Sequence, residues 1–146
     1  MKRGNERRGG QVVVEMLLIL PIFLSIVFTI MEIGYVSFRL ILLNHATYEA
    51  ARVGGMTYYP SKSWGRAASV MSKFLSDPSV QFSCDTEPTF PDDQAGLINH
   101  DLVCKATEDV QLIFPISSII LSKPSGTGKR RLTAEVRMPI EQPLTR

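Results

Sequence analysis

Residues that carry chemistry are scarce in this chain: two cysteines, two histidines and one tryptophan among 146 residues. Two cysteines permit a single intramolecular disulfide and exclude a four-cysteine zinc site. Nine prolines and ten glycines are too few for a collagen-like or low-complexity chain, and a hydrophobic share of 45% beside 21% charged residues excludes a disordered polar tail. With 16 Lys+Arg against 14 Asp+Glu the formal charge is +2, so composition demands no acidic partner. The length leaves room for one core and little for a second.

Charge is almost missing from one stretch. Residues 11–31 read QVVVEMLLILPIFLSIVFTIM, 21 residues with Glu15 as the one charge, which is the length a bilayer core requires of a helix. Apolar character resumes in Ile33, Val36, Phe38 and Leu40 to Leu43, and no strong stop precedes Gly54-Gly55. One helix over 11–53 would measure ~65 Å at ~1.5 Å per residue, about twice the ~30 Å hydrocarbon thickness, so half of it must stand outside the membrane. Pro21 is expected to kink or locally melt it. Ahead of the block, MKRGNERRGG carries a net +3 from Lys2, Arg3, Arg7 and Arg8 against Glu6. By the positive-inside rule this end stays cytoplasmic and the remainder is exported. A cleaved secretory signal is the alternative, but the apolar run exceeds the usual length and no A-x-A-like site follows it. An uncleaved signal-anchor stays open.

A charge at the bilayer centre costs ~2.5 to 3.5 kcal/mol on insertion scales and usually has a partner and a task. Glu15 lies only four residues inside the run, so a carboxylate that snorkels to the inner headgroups is the plainer reading. The neighbouring residues change this. Arg7-Arg8-Gly9-Gly10 followed by Gln11-Val12-Val13-Val14-Glu15 resembles the processing site of type IV pilins and pseudopilins, in which a membrane peptidase cuts after a glycine and the fifth mature residue is glutamate. The resemblance implies that Gly10 precedes the cut and that Gln11 is the mature, N-methylated or unmodified, N-terminus. Loss of the leader would change the formal charge from +2 to −1. It would also create an α-amine with a pKa of about 7.7 to 8.0, able to pair with Glu15 of a neighbouring subunit.

Pro21 six residues after Glu15, then Glu32-Ile33-Gly34, then Asn44-His45-Ala46-Thr47-Tyr48-Glu49-Ala50-Ala51-Arg52-Val53-Gly54 are similar to the TadE-like family. These are minor pseudopilins of the tight-adherence (Tad) pilus, with the pattern E-x5-P, E-x-G and N-x-A-x-x-E-A-A-R-x-G. The likeness covers residues 7–54, and departs from the family in the β-branched Val12 to Val14 and in His45. It implies a structural or assembly component of a bacterial pilus, not an enzyme and without a cofactor. The implied partners are a prepilin peptidase, other pilins and pseudopilins, the inner-membrane assembly platform and the bilayer, with no nucleic acid. The implied location is the bacterial inner membrane, single-pass, with a periplasmic head that can enter an extracellular pilus.

The expected fold class is α+β, with a leader over 1–10, a transmembrane and assembly helix over 11–56 and an exported head over 57–146. Ala46, Ala50, Val53 and Gly54 form a narrow small-residue face on which a neighbouring helix or the chain's own head can lie, while Glu49 and Arg52 can pair on the wet side. A short helix is predicted over 61–75 from Trp64, Ala67, Ala68, Met71, Phe74 and Leu75, ended by Asp77-Pro78. Alternation in Val80, Phe82 and Cys84, in Val110, Leu112 and Phe114, and in Leu132, Ala134, Val136 and Met138 predicts three or four antiparallel strands. A turn over 123–129 joins the last two. Cys84 and Cys104 lie on the exported side, where a disulfide would persist and contribute about 3 kcal/mol; free buried thiols are the alternative.

Other chemistry finds little support. Gly126-Thr127-Gly128-Lys129 lacks the spacing of a phosphate-binding loop, which requires Gly at 123 and Ser or Thr at 130. Cys84, His100 and Cys104 lack a fourth zinc ligand, His45 with Glu49 has no nucleophile at useful spacing, and Lys123, Lys129, Arg130 and Arg131 read as a solvated loop. The competing functions are an exported sensor or enzyme on an uncleaved anchor, and a pseudopilin of another secretion system.

Overall fold

A computed structural model of the chain describes residues 6–56, 60–88, 100–114, 118–119, 121–122 and 127–140. The first helix, α1 (Glu6–Gly55), has 50 residues and is ~75 Å long at ~1.5 Å per residue. It begins inside the basic leader and runs through Pro21 without the expected melting. One lost N–H donor is a small defect in so long a ladder. The Ser25 hydroxyl donates to the Pro21 carbonyl at 2.7 Å, and the Thr29 hydroxyl to the Ser25 carbonyl at 2.7 Å, so polar side chains bond back to the backbone in the following turns.

The second helix, α2 (Pro60–Phe74), opens on a proline, whose missing N–H costs nothing at that position. It buries Ala67 and Met71 and leaves Trp64 and Phe74 largely exposed; Phe74 meets the His45 ring edge-on at 6.0 Å. The following turn is closed by Asp77. Its carboxylate accepts the Ser79 N–H at 3.0 Å and hydroxyl at 2.8 Å, and its carbonyl accepts the Val80 N–H at 3.1 Å.

Three antiparallel strands follow, β1 (Val80–Pro88), β2 (His100–Gln111) and β3 (Lys129–Pro139), in the order β1-β2-β3. One face of the sheet packs on the helices. Cys84, Leu102, Cys104, Ala106, Val110, Leu132 and Ala134 join Leu43, Ala46, Ala50 and Ala51 of α1 and Ala67 and Met71 of α2 in a single core. The other face is polar. There Arg131 holds Asp109 at 2.8 and 3.1 Å, Arg137 reaches Glu87 at 2.7 Å and Asp101 at 3.1 Å, and Lys105 lies 3.5 Å from Glu135. Pairs at such a solvent-screened surface stabilise the fold little.

The α+β class is as the sequence implies, with corrections in the second half. The strand expected over Val110 to Phe114 is only the tail of β2, which starts at His100 and ends at Gln111. Lys129, Arg130 and Arg131 belong to β3 and not to a loop. Of the expected turn, residues 123–126 lie outside the described residues; Gly128 adopts φ 65°, a region glycine enters freely, and its carbonyl accepts the Leu112 N–H at 2.8 Å. Gly55 ends α1 against the sheet, where a Cβ would lie 2.9 Å from the Pro139 carbonyl oxygen.

Cys84 and Cys104 are direct cross-strand partners, 4.0 Å apart at Cα, and their sulfurs are bonded. The bond ties β1 to β2 across 20 positions, worth about 3 kcal/mol in the chain-entropy model. Replacing both cysteines by serine is expected to destabilise the intact protein in detergent by that amount and so to lower its unfolding midpoint. An unchanged midpoint in calorimetry would show the bond to be stabilising nothing.

Candidate functional site

Along α1 a single seam faces the head. Glu32, Val36, Arg39, Leu43, Ala46, Ala50 and Val53 alternate at spacings of four and three, which keeps one stripe of a helix in register with a packed surface. Most of it is apolar, but two positions are charged, and both are held by the head.

Glu32 is 1% exposed. One carboxylate oxygen accepts the Ile113 N–H at 2.9 Å and the other the Phe114 N–H at 3.0 Å. One helical turn earlier Phe28 stacks on Phe114, with centroids 4.6 Å apart and planes at 11°. The segment leaving β2 is thus clamped to α1 by charge-assisted hydrogen bonds and an aromatic pair.

Two turns further on, Arg39 reaches across to the middle strand. Its Nη2 donates to Glu108 and, at 3.2 Å, to Asp77. The Glu108 side chain is 2% exposed and stands where the inward alternation Leu102, Cys104, Ala106, Val110 would place an apolar residue. Arg39 Nε and Glu108 Oε2 are buried without hydrogen-bond partners among the described residues, so the pair locks α1 to β2 at a desolvation cost. The Ser79 N–H and hydroxyl, with Arg39 adding to them, hold the Asp77 carboxyl below its usual range. Because its folded pKa is depressed, the stability it contributes is present above the ordinary carboxylate pKa and is lost as pH falls through the lowered value.

The residues singled out in the sequence fall into three places. Gly10, Gln11 and Glu15 lie on the exposed, head-free part of α1, where among the described residues Glu15 has no partner within its own chain, and a Cβ added at Gly10 would meet nothing within 4 Å. Ala46, Ala50 and Gly54 are buried and Val53 half-buried, so the small-residue face is taken up by the chain's own head. Cys84 and Cys104 are in the sheet, far along the chain from either group. Glu49 and Arg52 approach to 3.9 Å at the surface. Among the described residues no cluster of three or more His, Cys, Asp or Glu is placed to hold a metal.

Arg39 and Glu108 escaped the sequence reading, and Glu32 entered it only as part of a pattern. The signal was present: an acidic residue in phase with buried positions of a strand, and two charges seven apart on an otherwise apolar stripe.

The α1 helix is long and apolar enough to cross a membrane, and its most apolar stretch buries nothing against the head. The model of the family described as TadE-like protein matches residues 10–52. Over those residues the helix is similar to that of TadE-like proteins. No curated protein and no solved structure matches the chain. The TadE-like match spans Glu15, Glu32, Arg39 and the alanine face, and stops before α2 and the sheet. The likeness to TadE-like proteins over the helix, together with a candidate membrane span among the described residues, fits a membrane-anchored component associated with a Tad pilus.

Arg39→Met is expected to destabilise the intact protein by about 3 to 5 kcal/mol, because it leaves Glu108 buried without its cation. Adding Glu108→Leu should recover most of that loss. Unfolding of the single and double variants in detergent decides the matter; a double variant no more stable than Arg39→Met would show that the pair does not act as a unit.

Proposed function

We propose that this protein is a minor pseudopilin, a non-catalytic structural or assembly component of a Tad-type pilus. A prepilin peptidase cuts it between Gly10 and Gln11, and the head stands on the periplasmic side. The observation that carries the reading is the division of α1. Its seam from Glu32 onward is committed to the head, whereas Glu15 and the apolar residues around it are exposed with no partner in the chain among the described residues. A carboxylate in such a surface is costly unless something outside the subunit satisfies it.

A new ammonium at Gln11 of an adjacent subunit has the required charge. Two helices side by side bring amine and carboxylate together in a low-dielectric contact, where each removes the desolvation cost of the other. Before the cut, the basic leader anchors the helix on the cytoplasmic side; afterwards that anchor is gone and a single positive group takes its place. Since Glu6–Gly55 is helical, the peptide bond after Gly10 must leave the helix to be cut, and glycine lowers the cost of that local opening. The partners in this reading are the peptidase, other pilins and pseudopilins, the assembly platform and the bilayer.

Mass spectrometry of the protein from cells with an active Tad system should find Gln11 as the first residue, and Gly10→Val should retain residues 1–10. Glu15→Leu should leave insertion and cleavage intact while recovery of the subunit with other pilus components falls, since breaking a buried ion pair costs about 3 to 5 kcal/mol. An intact leader in wild-type cells, or full recovery of Glu15→Leu with the pilus, would overturn the corresponding half of the reading.

A further inference from the structure

Between β2 and β3 the chain runs from Leu112 to Ser122 without a charged residue. Two described residues in it, Ile113 and Ile119, are among the most exposed apolar side chains of the molecule, at 70% and 77%. In a head whose sheet is otherwise faced with ion pairs, this patch stands out. Its position on α1 is fixed by three contacts. Glu32 binds the N–H groups of Ile113 and Phe114, and Phe28 stacks on Phe114.

That position can be read against the bilayer. The apolar run 11–31 is ~32 Å long as a helix, which fills a ~30 Å hydrocarbon layer and leaves Glu32 at its outer boundary. Phe28 then lies ~6 Å inside that boundary, and Phe114 with it. The helix surface beside the contact is itself apolar and exposed through Ile30, Met31 and Ile33, so the patch continues the lipid-facing surface of the span. Just above, Arg130 donates to the Leu121 carbonyl at 3.1 Å and lines a small hollow with Ile33, Val36 and Ser37, at the height of the headgroups, with exposed Lys129 beside it.

We propose that Ile113, Phe114 and Ile119 enter the outer leaflet of the bilayer that α1 crosses, a second membrane contact supplied by the head. Glu32 makes this possible. Its charge would otherwise hold the helix out of the apolar layer, and the Ile113 and Phe114 N–H groups replace water as the donors to its carboxylate there. Lys129 and Arg130 face the lipid phosphates from the wet side. The inference rests on the membrane-anchored reading of α1 and needs neither processing nor assembly.

The test uses the full chain reconstituted into vesicles of phosphatidylethanolamine and phosphatidylglycerol. In a Trp64→Phe background, which removes the one native tryptophan, Ile119→Trp and, separately, Ile113→Trp report the depth of the patch, and Lys105→Trp reports the outer face of the sheet. An indole at 119 or 113 should emit at shorter wavelength than one at 105. It should lose most of its emission when the lipids carry bromine near the glycerol end of their acyl chains, and lose less with bromine near the chain ends. The indole at 105 should be unaffected by either. Emission typical of water at both patch positions would overturn the proposal, as would a blue-shifted indole that no brominated lipid quenches, the mark of a patch covered by a second copy or another protein. Failure of the protein to float with the vesicles would remove the membrane anchor and this inference together, whereas flotation with an unquenched patch removes the inference alone.

Discussion

A carboxylate at the point where a helix changes its surroundings sets the terms for this structure. Below Glu32, α1 presents mostly apolar side chains outward and meets the head through the Phe28–Phe114 stack; above it, the same helix is one wall of a core. Glu32 stands at the change and takes two backbone N–H groups from the end of β2. Once that end is fixed, the strand's inner face is aimed at the seam, and Glu108 arrives opposite Arg39. The position of the sheet follows from where a charge on α1 could be satisfied.

The two halves of the helix therefore have different freedom. The alanine face, suited in isolation to helix-to-helix packing, is filled by α2 and the sheet, and Gly55 accepts the end of β3 at a distance that admits no side chain. The surface left open is the lower half, where side chains are exposed and, among the described residues, Glu15 has no partner in the chain. Short side chains above permit close packing of the chain on itself, while larger ones below present area to lipid or to other helices.

Much of this could be read in the sequence because the patterns are strong. A run of membrane length with Glu15 as its one charge, the four-three recurrence of small residues at Ala46, Ala50 and Val53, and the alternation in β1 and β3 each point to one kind of element. The spacing from Gly10 through Glu15 to Pro21 and on to Arg52 supplied the family resemblance. What stayed hidden depended on pairs distant in sequence. Glu108 looks like a surface residue of a strand until Arg39, 69 positions away, explains why it can be buried. Without that pairing β2 seemed to lack an inner face, and its start at His100 was missed. Pro21 works in the opposite direction: local melting is absent there, because one missing N–H is a small defect in a 50-residue helix.

The seam also dictates an order of events. Leu43, Ala46 and Ala50 are synthesised well before Leu132, Ala134 and Ile140, which complete their surroundings. No local hairpin can close this core in the meantime, since the helix packs on strands formed some sixty to ninety residues later. On whichever side of the bilayer the head folds, it stays open until β2 and β3 have emerged. During that interval α2 is the one element of the head made early enough to cover the alanine stripe of α1, and any helix that docks there competes with the chain's own completion.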